Sequence, residues 1–119
     1  MSTPGATQAL TDAQYHEVIS ATLARIEKTV DTWLQDDVVD IDAARTGGML
    51  TLSLPDRSQL IVNAQPPLQE LWLASRAAGQ HFRHVDGRWL DTRDGSEFFE
   101  ALSRQTTAQG GRALAFLPA

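Results

Sequence analysis

Residues 49–54, Met-Leu-Thr-Leu-Ser-Leu, place a leucine at every second position. Side chains of an extended chain alternate sides, so Leu50, Leu52 and Leu54 share one face while Thr51 and Ser53 share the other. A strand built this way belongs in a sheet covered on one side only, and the cover must come from elsewhere in the chain. Similar runs recur downstream. Gln59 to Asn63 follows the turn Pro55-Asp56-Arg57. Leu68 to Ser75 follows Pro66-Pro67 in an extended or mixed pattern, with Leu71 and Leu73 on one side and Trp72 beside Glu70 on the other. His81–Val85 and Arg88–Thr92 are two shorter candidate strands separated by Asp86-Gly87. Upstream, Val38–Ala43 alternates as well: Val39 and Ile41 face one way, Asp40 and Asp42 the other. Gly47-Gly48 turns the chain into the leucine strand.

The cover is legible at both ends. Thr11 and Gln14 form a capping-box pair, with Leu10 placed to pack on Tyr15 as a hydrophobic staple. From there Tyr15, Ile19, Ile26, Val30 and Trp33 keep helical spacing, with Val18, Thr22 and Leu23 beside them, which predicts a helix over 11–34. A second helix is expected to start at Asp94 as cap with Glu97 at the third position. It would use Phe98, Leu102 and Gln105 or Thr106 as its buried face, run to about 108 and stop at Gly110-Gly111. The order helix, five or six strands, helix implies an α+β fold. We expect a two-layer α-β sandwich, with two helices packed on one face of a mainly antiparallel sheet and the other face open to water. A single domain over 10–108 is expected, between a flexible tail at 1–9 and a C-terminal tail at 109–119.

At 119 residues and 42% apolar, with three tryptophans, the chain suits one globular domain. No apolar run approaches the ~20 residues of a membrane span. The opening MSTPGATQA has neither a basic region nor an apolar stretch, so no secretory signal is expected, and its lack of arginine argues against a transit peptide. The absence of cysteine excludes disulfides and thiolate metal sites and fits a reducing cytoplasm.

Charge is unevenly distributed. Residues 1–44 carry eight acids against two bases, a net −6, whereas residues 45–119 carry seven acids against eight arginines, a net +1. The stretch DTWLQDDVVDID at 31–42 alone holds five aspartates and no base. Glu27 and Asp31 lie one turn apart on the polar side of the first helix, with Glu17 on the same side; Asp36 and Asp37 occupy the following loop. Such a surface repels phosphate backbones and attracts cations or basic proteins, which argues against nucleic-acid binding. It can be read as a solubilising face or as a cation-binding one. Carboxylates without histidine or cysteine suit Ca²⁺, Mg²⁺, Mn²⁺ or iron rather than zinc. Ligands strung along a helix and a strand edge cannot wrap one ion, so binding would be weak, multiple and exposed.

Trp72 admits two readings, a core residue or an interface anchor. Since Leu71 and Leu73 claim the buried side, the second is preferred, with Asn63 and Gln65 on the same exposed side. His81 and His84 would face opposite ways on one strand and share no ion; His16 flanks the first helix. No nucleophile elbow, phosphate loop or zinc motif is present. The chain therefore reads as a non-catalytic or weakly redox-active binding protein. A diiron ferroxidase or iron store is disfavoured because bridging carboxylates and histidines do not converge in a helical core.

Taken together, these motifs resemble the frataxin family. The resemblance rests on NAQPPLQELWLAS (63–75), GGMLTLSL (47–54), Asp31 and Trp33 at the end of the early helix, Asp40-Ile41-Asp42, GQHF (79–82) and RWLDTRDGSEFFEAL (88–102). It spans about 15–106 and is nearest the short bacterial type. It implies the α-β sandwich already expected, and iron (Fe²⁺ or Fe³⁺) held weakly on an acidic ridge of Glu27, Asp31, Asp36, Asp37, Asp40 and Asp42. It also implies docking on a cysteine desulfurase and an iron–sulfur scaffold protein, with Asn63, Gln65 and Trp72 as the sheet surface for the partner. A monomer is expected in the absence of metal. Lys28 and Thr32 depart from the family by standing where relatives commonly carry further acids.

Overall fold

The computed structural model describes residues 10–117. A long helix, α1 (Asp12–Gln35), is followed by six strands, β1 (Asp42–Thr46), β2 (Met49–Ser53), β3 (Gln59–Gln65), β4 (Glu70–Ala74), β5 (Gly79–Val85) and β6 (Arg88–Asp91), and then by α2 (Phe98–Gly110). The strands form one sheet in the order β1-β2-β3-β4-β5-β6, each antiparallel to its neighbours, with no crossover. Both helices lie on the leucine face. Tyr15, Ile19, Leu23, Ile26 and Val30 of α1 and Phe98, Ala101 and Leu102 of α2 meet Leu50, Leu52, Leu60, Val62, Leu71, Leu73 and Phe82 of the sheet in one buried core.

Local chemistry fixes the start of α1. The Gln14 amide donates to Thr11 Oγ1 at 3.1 Å, and the Thr11 amide donates to Gln14 Oε1 at 2.9 Å, the reciprocal pair the sequence predicts. α2 starts later than expected. Its cap is Glu97, whose carboxylate accepts from the Phe99 and Glu100 amides at 2.8 and 3.0 Å. Asp94 is instead occupied by the Ser96 amide and hydroxyl, so its carboxylate serves a turn three residues too early to cap the helix. Both candidates are carboxylates that accept from amides a few residues on, and the sequence does not rank them.

Two further expectations shift. The ladder of β1 begins at Asp42, not Val38, because its antiparallel partner β2 ends at Ser53, opposite Asp42. The alternation read at 39–42 survives as burial alone: Ile41 is buried between exposed Asp40 and Asp42. The segment expected as a C-terminal tail continues the domain instead, as Gln109 and Gly110 finish α2 and Leu114 and Phe116 are buried in the core. The Leu114 amide donates to Thr107 Oγ1 at 3.0 Å and the Phe116 amide to Ser103 Oγ at 2.8 Å, tying the segment along α2. Phe116 also packs on Trp33, with ring centroids 4.7 Å apart. The tail expected at 1–9 lies outside the described residues.

At the turn between β1 and β2 the strands approach closely at position 48: a Cβ there would meet the Ala64 Cβ at 3.0 Å, so Ala64 would have to give by a few tenths of an ångström, while the Ala64 amide donates to the Gly48 carbonyl at 2.8 Å. Asp86-Gly87 turns β5 into β6 with φ of 51° and 81°, the positive values of a two-residue hairpin turn.

Tyr15 joins the two layers. Its buried hydroxyl donates to the Glu70 carbonyl at 2.6 Å and accepts from the Gln65 amide at 3.0 Å, bridging β3 and β4 where Pro66–Leu68 makes a single 3-10 turn between them. Tyr15→Phe keeps the ring but strands both backbone groups. It is expected to cost about 2–4 kcal/mol. Urea denaturation checks this; an unchanged midpoint would show that water replaces the hydroxyl.

Candidate functional site

Two surfaces collect the candidate residues. The first follows α1 into β1. The helix ends with Asp36 as its cap and Asp37 in the left-handed region at φ 58°, closed by the Val38 amide on the Trp33 carbonyl (2.8 Å) and the Asp37 amide on the Leu34 carbonyl (3.2 Å). Glycine usually takes the position of Asp37 in such a closure, and aspartate is among the few residues that tolerate it. The last turn of α1 contains no basic residue, so Asp36 and Asp37 stand at the negative end of the helix dipole. Asp40 and Asp42 flank the buried Ile41 in the chain. All four are exposed, and among the described residues their carboxylates make no hydrogen bond or ion pair. Asp31, also exposed, accepts only from Gln35 Nε2, at 3.0 Å.

Glu27 stands apart from these five. Arg45 of β1 reaches back over α1, placing Nη1 3.0 Å from Glu27 Oε1 and Nη2 3.1 Å from Ser20 Oγ. The expectation of an uncompensated ridge fails at this residue, because the strand next to the helix supplies its countercharge. Arg112 Nη1 donates to the Val38 carbonyl and pins the acidic loop from below without reaching a carboxylate. Glu17 is exposed nearer the helix start and has no partner among the described residues. Unbalanced charge thus runs from Asp31 to Asp42.

Among the described residues no three histidine, aspartate or glutamate side chains converge tightly enough to hold one metal ion. The rim can supply one or two carboxylate oxygens to a hard cation that keeps water in its remaining positions.

The second surface is the face of the sheet away from the helices. Register places Asn63 of β3 opposite Trp72 of β4, and Trp72 opposite His81 of β5; in the next row Gln65, Glu70 and Arg83 are neighbours in the same way. Asn63, Gln65 and Trp72 therefore do share one face, all half-buried. Trp72 is less free than an exposed anchor. Its ring stacks on His81 with centroids 4.0 Å apart and planes 6° from parallel, and its Nε1 donates to Glu70 Oε1 at 2.8 Å. The Glu70 side chain is only 8% exposed, with His81 Nδ1 at 3.9 Å and Arg83 Nε at 3.6 Å. His84 points to the helix side, edge-on to Trp89, where burial lowers its pKa.

Glu70, His81 and Arg83 are the members that sequence reasoning missed. Strand parity alone puts Glu70 on the open face with Trp72. Its burial and its contact with β5 depend on the register set by the Ser75–Ala78 turn, which residue type does not announce.

A family model described as "Frataxin-like domain" matches residues 8–112. The chain is 45% identical over 107 residues to the iron-sulfur cluster assembly protein CyaY of Polaromonas sp. (strain JS666), covering 90% of this chain and 92% of that protein. It is 47% identical to the protein of the same name from Paraburkholderia xenovorans (strain LB400), covering 90% and 98%. Among solved structures, the frataxin from Psychromonas ingrahamii superposes with a TM-score of 0.80 at 29% identity, covering 91% of this chain and 99% of that one. That likeness extends to the six-stranded sheet with two helices on one face.

Proposed function

Because this chain belongs to the frataxin family, we propose that it serves iron–sulfur cluster assembly, carrying iron loosely on the Asp31–Asp42 rim and docking on a cysteine desulfurase and its scaffold protein. Its relatives carry the name of that process. The observation that supports the reading best is the pair Asp36 and Asp37, set against the negative end of α1 and followed by Asp40 and Asp42, with no ion pair to any of the four among the described residues. Each added like charge raises the energy of the next, and a hard cation or an arginine-rich protein surface lowers it. Iron here is cargo. Exposed carboxylates that do not converge hold it briefly and release it. The sheet face around Asn63, Gln65 and Trp72 supplies the second contact, shaped by an aromatic stack rather than by net charge. No helix of the described residues is long and apolar enough to cross a membrane; a monomer acting in the cytoplasm completes the proposal.

An NMR titration of the ¹⁵N-labelled protein tests it, first with Fe²⁺ under anaerobic conditions and then with the desulfurase. Iron is expected to broaden or shift the amides of Asp31 and 36–42 while sparing Glu27, whose carboxylate Arg45 already holds. Shifts scattered over the whole surface, or none, would remove iron from the reading.

A second reading draws on the absence of any convergent metal-binding trio among the described residues: the protein regulates the desulfurase through charge alone, and iron binding is incidental. Desulfurase activity measured with and without iron separates the two. An effect of the protein that ignores the metal favours the regulator.

A further inference from the structure

Glu70 is a carboxylate nine-tenths removed from solvent on a sheet face without helices, and neither the ridge nor the core has a use for its charge. Burying an ionised group is costly unless it is hydrogen-bonded and compensated. Here the compensation is arranged around one neighbour. Glu70 Oε1 takes the Trp72 Nε1 proton at 2.8 Å, while His81 and Arg83 bring positive or donor groups to 3.9 and 3.6 Å. The Glu70 backbone is fixed as well, since its carbonyl accepts from the buried Tyr15 hydroxyl at 2.6 Å. His81 closes one face of the indole by parallel stacking at 4.0 Å.

From this arrangement we infer that Glu70 and His81 are positioning residues that lock Trp72 into a preformed plate, so that the sheet face meets its protein partner without first ordering the indole. The inference rests on the reading of that face as a partner surface. A free tryptophan side chain would lose rotamer freedom on binding; one held at its N–H and across its ring has already lost it in folding. Glu70 acts through Trp72 and need not touch the partner. The locked plate offers one indole face and the outer edge of His81, with Arg83 alongside. That combination suits a flat, weakly acidic protein surface more than a deep pocket that swallows a mobile ring.

The test compares Glu70→Leu, Glu70→Gln, His81→Ala and Trp72→Ala in the full chain. It reads solvent exchange of the Trp72 indole N–H in the free protein and affinity for the desulfurase–scaffold complex. Glu70→Leu removes the acceptor and is expected to speed indole exchange and to weaken the complex by about tenfold each, with dissociation carrying most of the loss. Glu70→Gln keeps a carbonyl acceptor and should stay within about twofold of the parent on both counts. His81→Ala, which serves if Glu70→Leu does not fold, should weaken the complex by about threefold, the scale of one lost aromatic contact. If Trp72→Ala weakens the complex while Glu70→Leu and His81→Ala do not, positioning is wrong and the partner surface stands. If Trp72→Ala itself binds as tightly as the parent, the partner surface falls and the positioning role falls with it. Slow indole exchange retained in Glu70→Leu, or Glu70→Gln behaving like Glu70→Leu, also overturns the inference.

Discussion

A chain ending at Gly111 is expected to be less stable than the full protein by about 4–6 kcal/mol, a large part of the roughly 5–15 kcal/mol that holds a domain of this size. The estimate follows from two side chains. Leu114 and Phe116 are 3% and 4% exposed, and both pack into the main cluster rather than over a loop. Each transfers about 1.5–3 kcal/mol of apolar burial, and removing both uncovers what they covered, including the Trp33 ring. The amide bonds to Thr107 and Ser103 disappear with them, as does the Arg112 contact to the Val38 carbonyl. Urea denaturation of full-length and shortened chains measures the difference. Equal midpoints would mean that the segment rests on the core without contributing to it. Leu114→Ala with Phe116→Ala in the full chain keeps the backbone bonds and should recover only a small part of the loss.

The second large effect concerns binding. Replacing Asp31, Asp36, Asp37 and Asp40 together by asparagine takes the formal net charge from −5 to −1 with little change of shape. Affinity for an arginine-rich desulfurase surface is expected to fall by about tenfold or more at low salt, mostly through slower association. The gap should close as ionic strength shortens the screening length to a few ångströms. Iron binding should weaken in parallel. The fold should gain rather than lose stability, by about 0.5–2 kcal/mol, because two of the four charges oppose the dipole of α1. Asparagine tolerates the left-handed backbone of residue 37, and at 31 it can still accept from Gln35. Surface plasmon resonance at several salt concentrations and thermal denaturation check the two halves. A lower melting temperature would show that these carboxylates have structural partners after all, and a loss of affinity that ignores salt would remove electrostatic docking.

The features that local chemistry decides could be read from the sequence, and those set by long-range contact could not. The Thr11–Gln14 cap is complete within four residues and was readable to the atom. The leucine alternation at 50, 52 and 54 needs no partner to reveal its buried face. By contrast, Arg45 neutralises Glu27 only because β1 lies beside α1, a neighbourhood created by the whole sheet. Residue type alone therefore does not reveal which of the candidate ridge carboxylates already has a countercharge. Leu114 and Phe116 form too short a run for any periodicity, and they are claimed by a gap between α1 and α2 that exists only after folding. Trp72 was placed on the correct face by parity, but its confinement by Glu70 and His81 depends on the register between β4 and β5.

The sheet order follows the chain from first strand to last, and this has a kinetic consequence. Every strand pairs with the one just synthesised, so hairpins can zip one after another across short loops at small entropic cost. The two helices, at opposite ends of the chain, must still dock on one face of this ribbon. Their docking is the distant event, and a folding-rate survey should find the barrier sensitive to helix–sheet packing and nearly indifferent to the outer face of the ribbon.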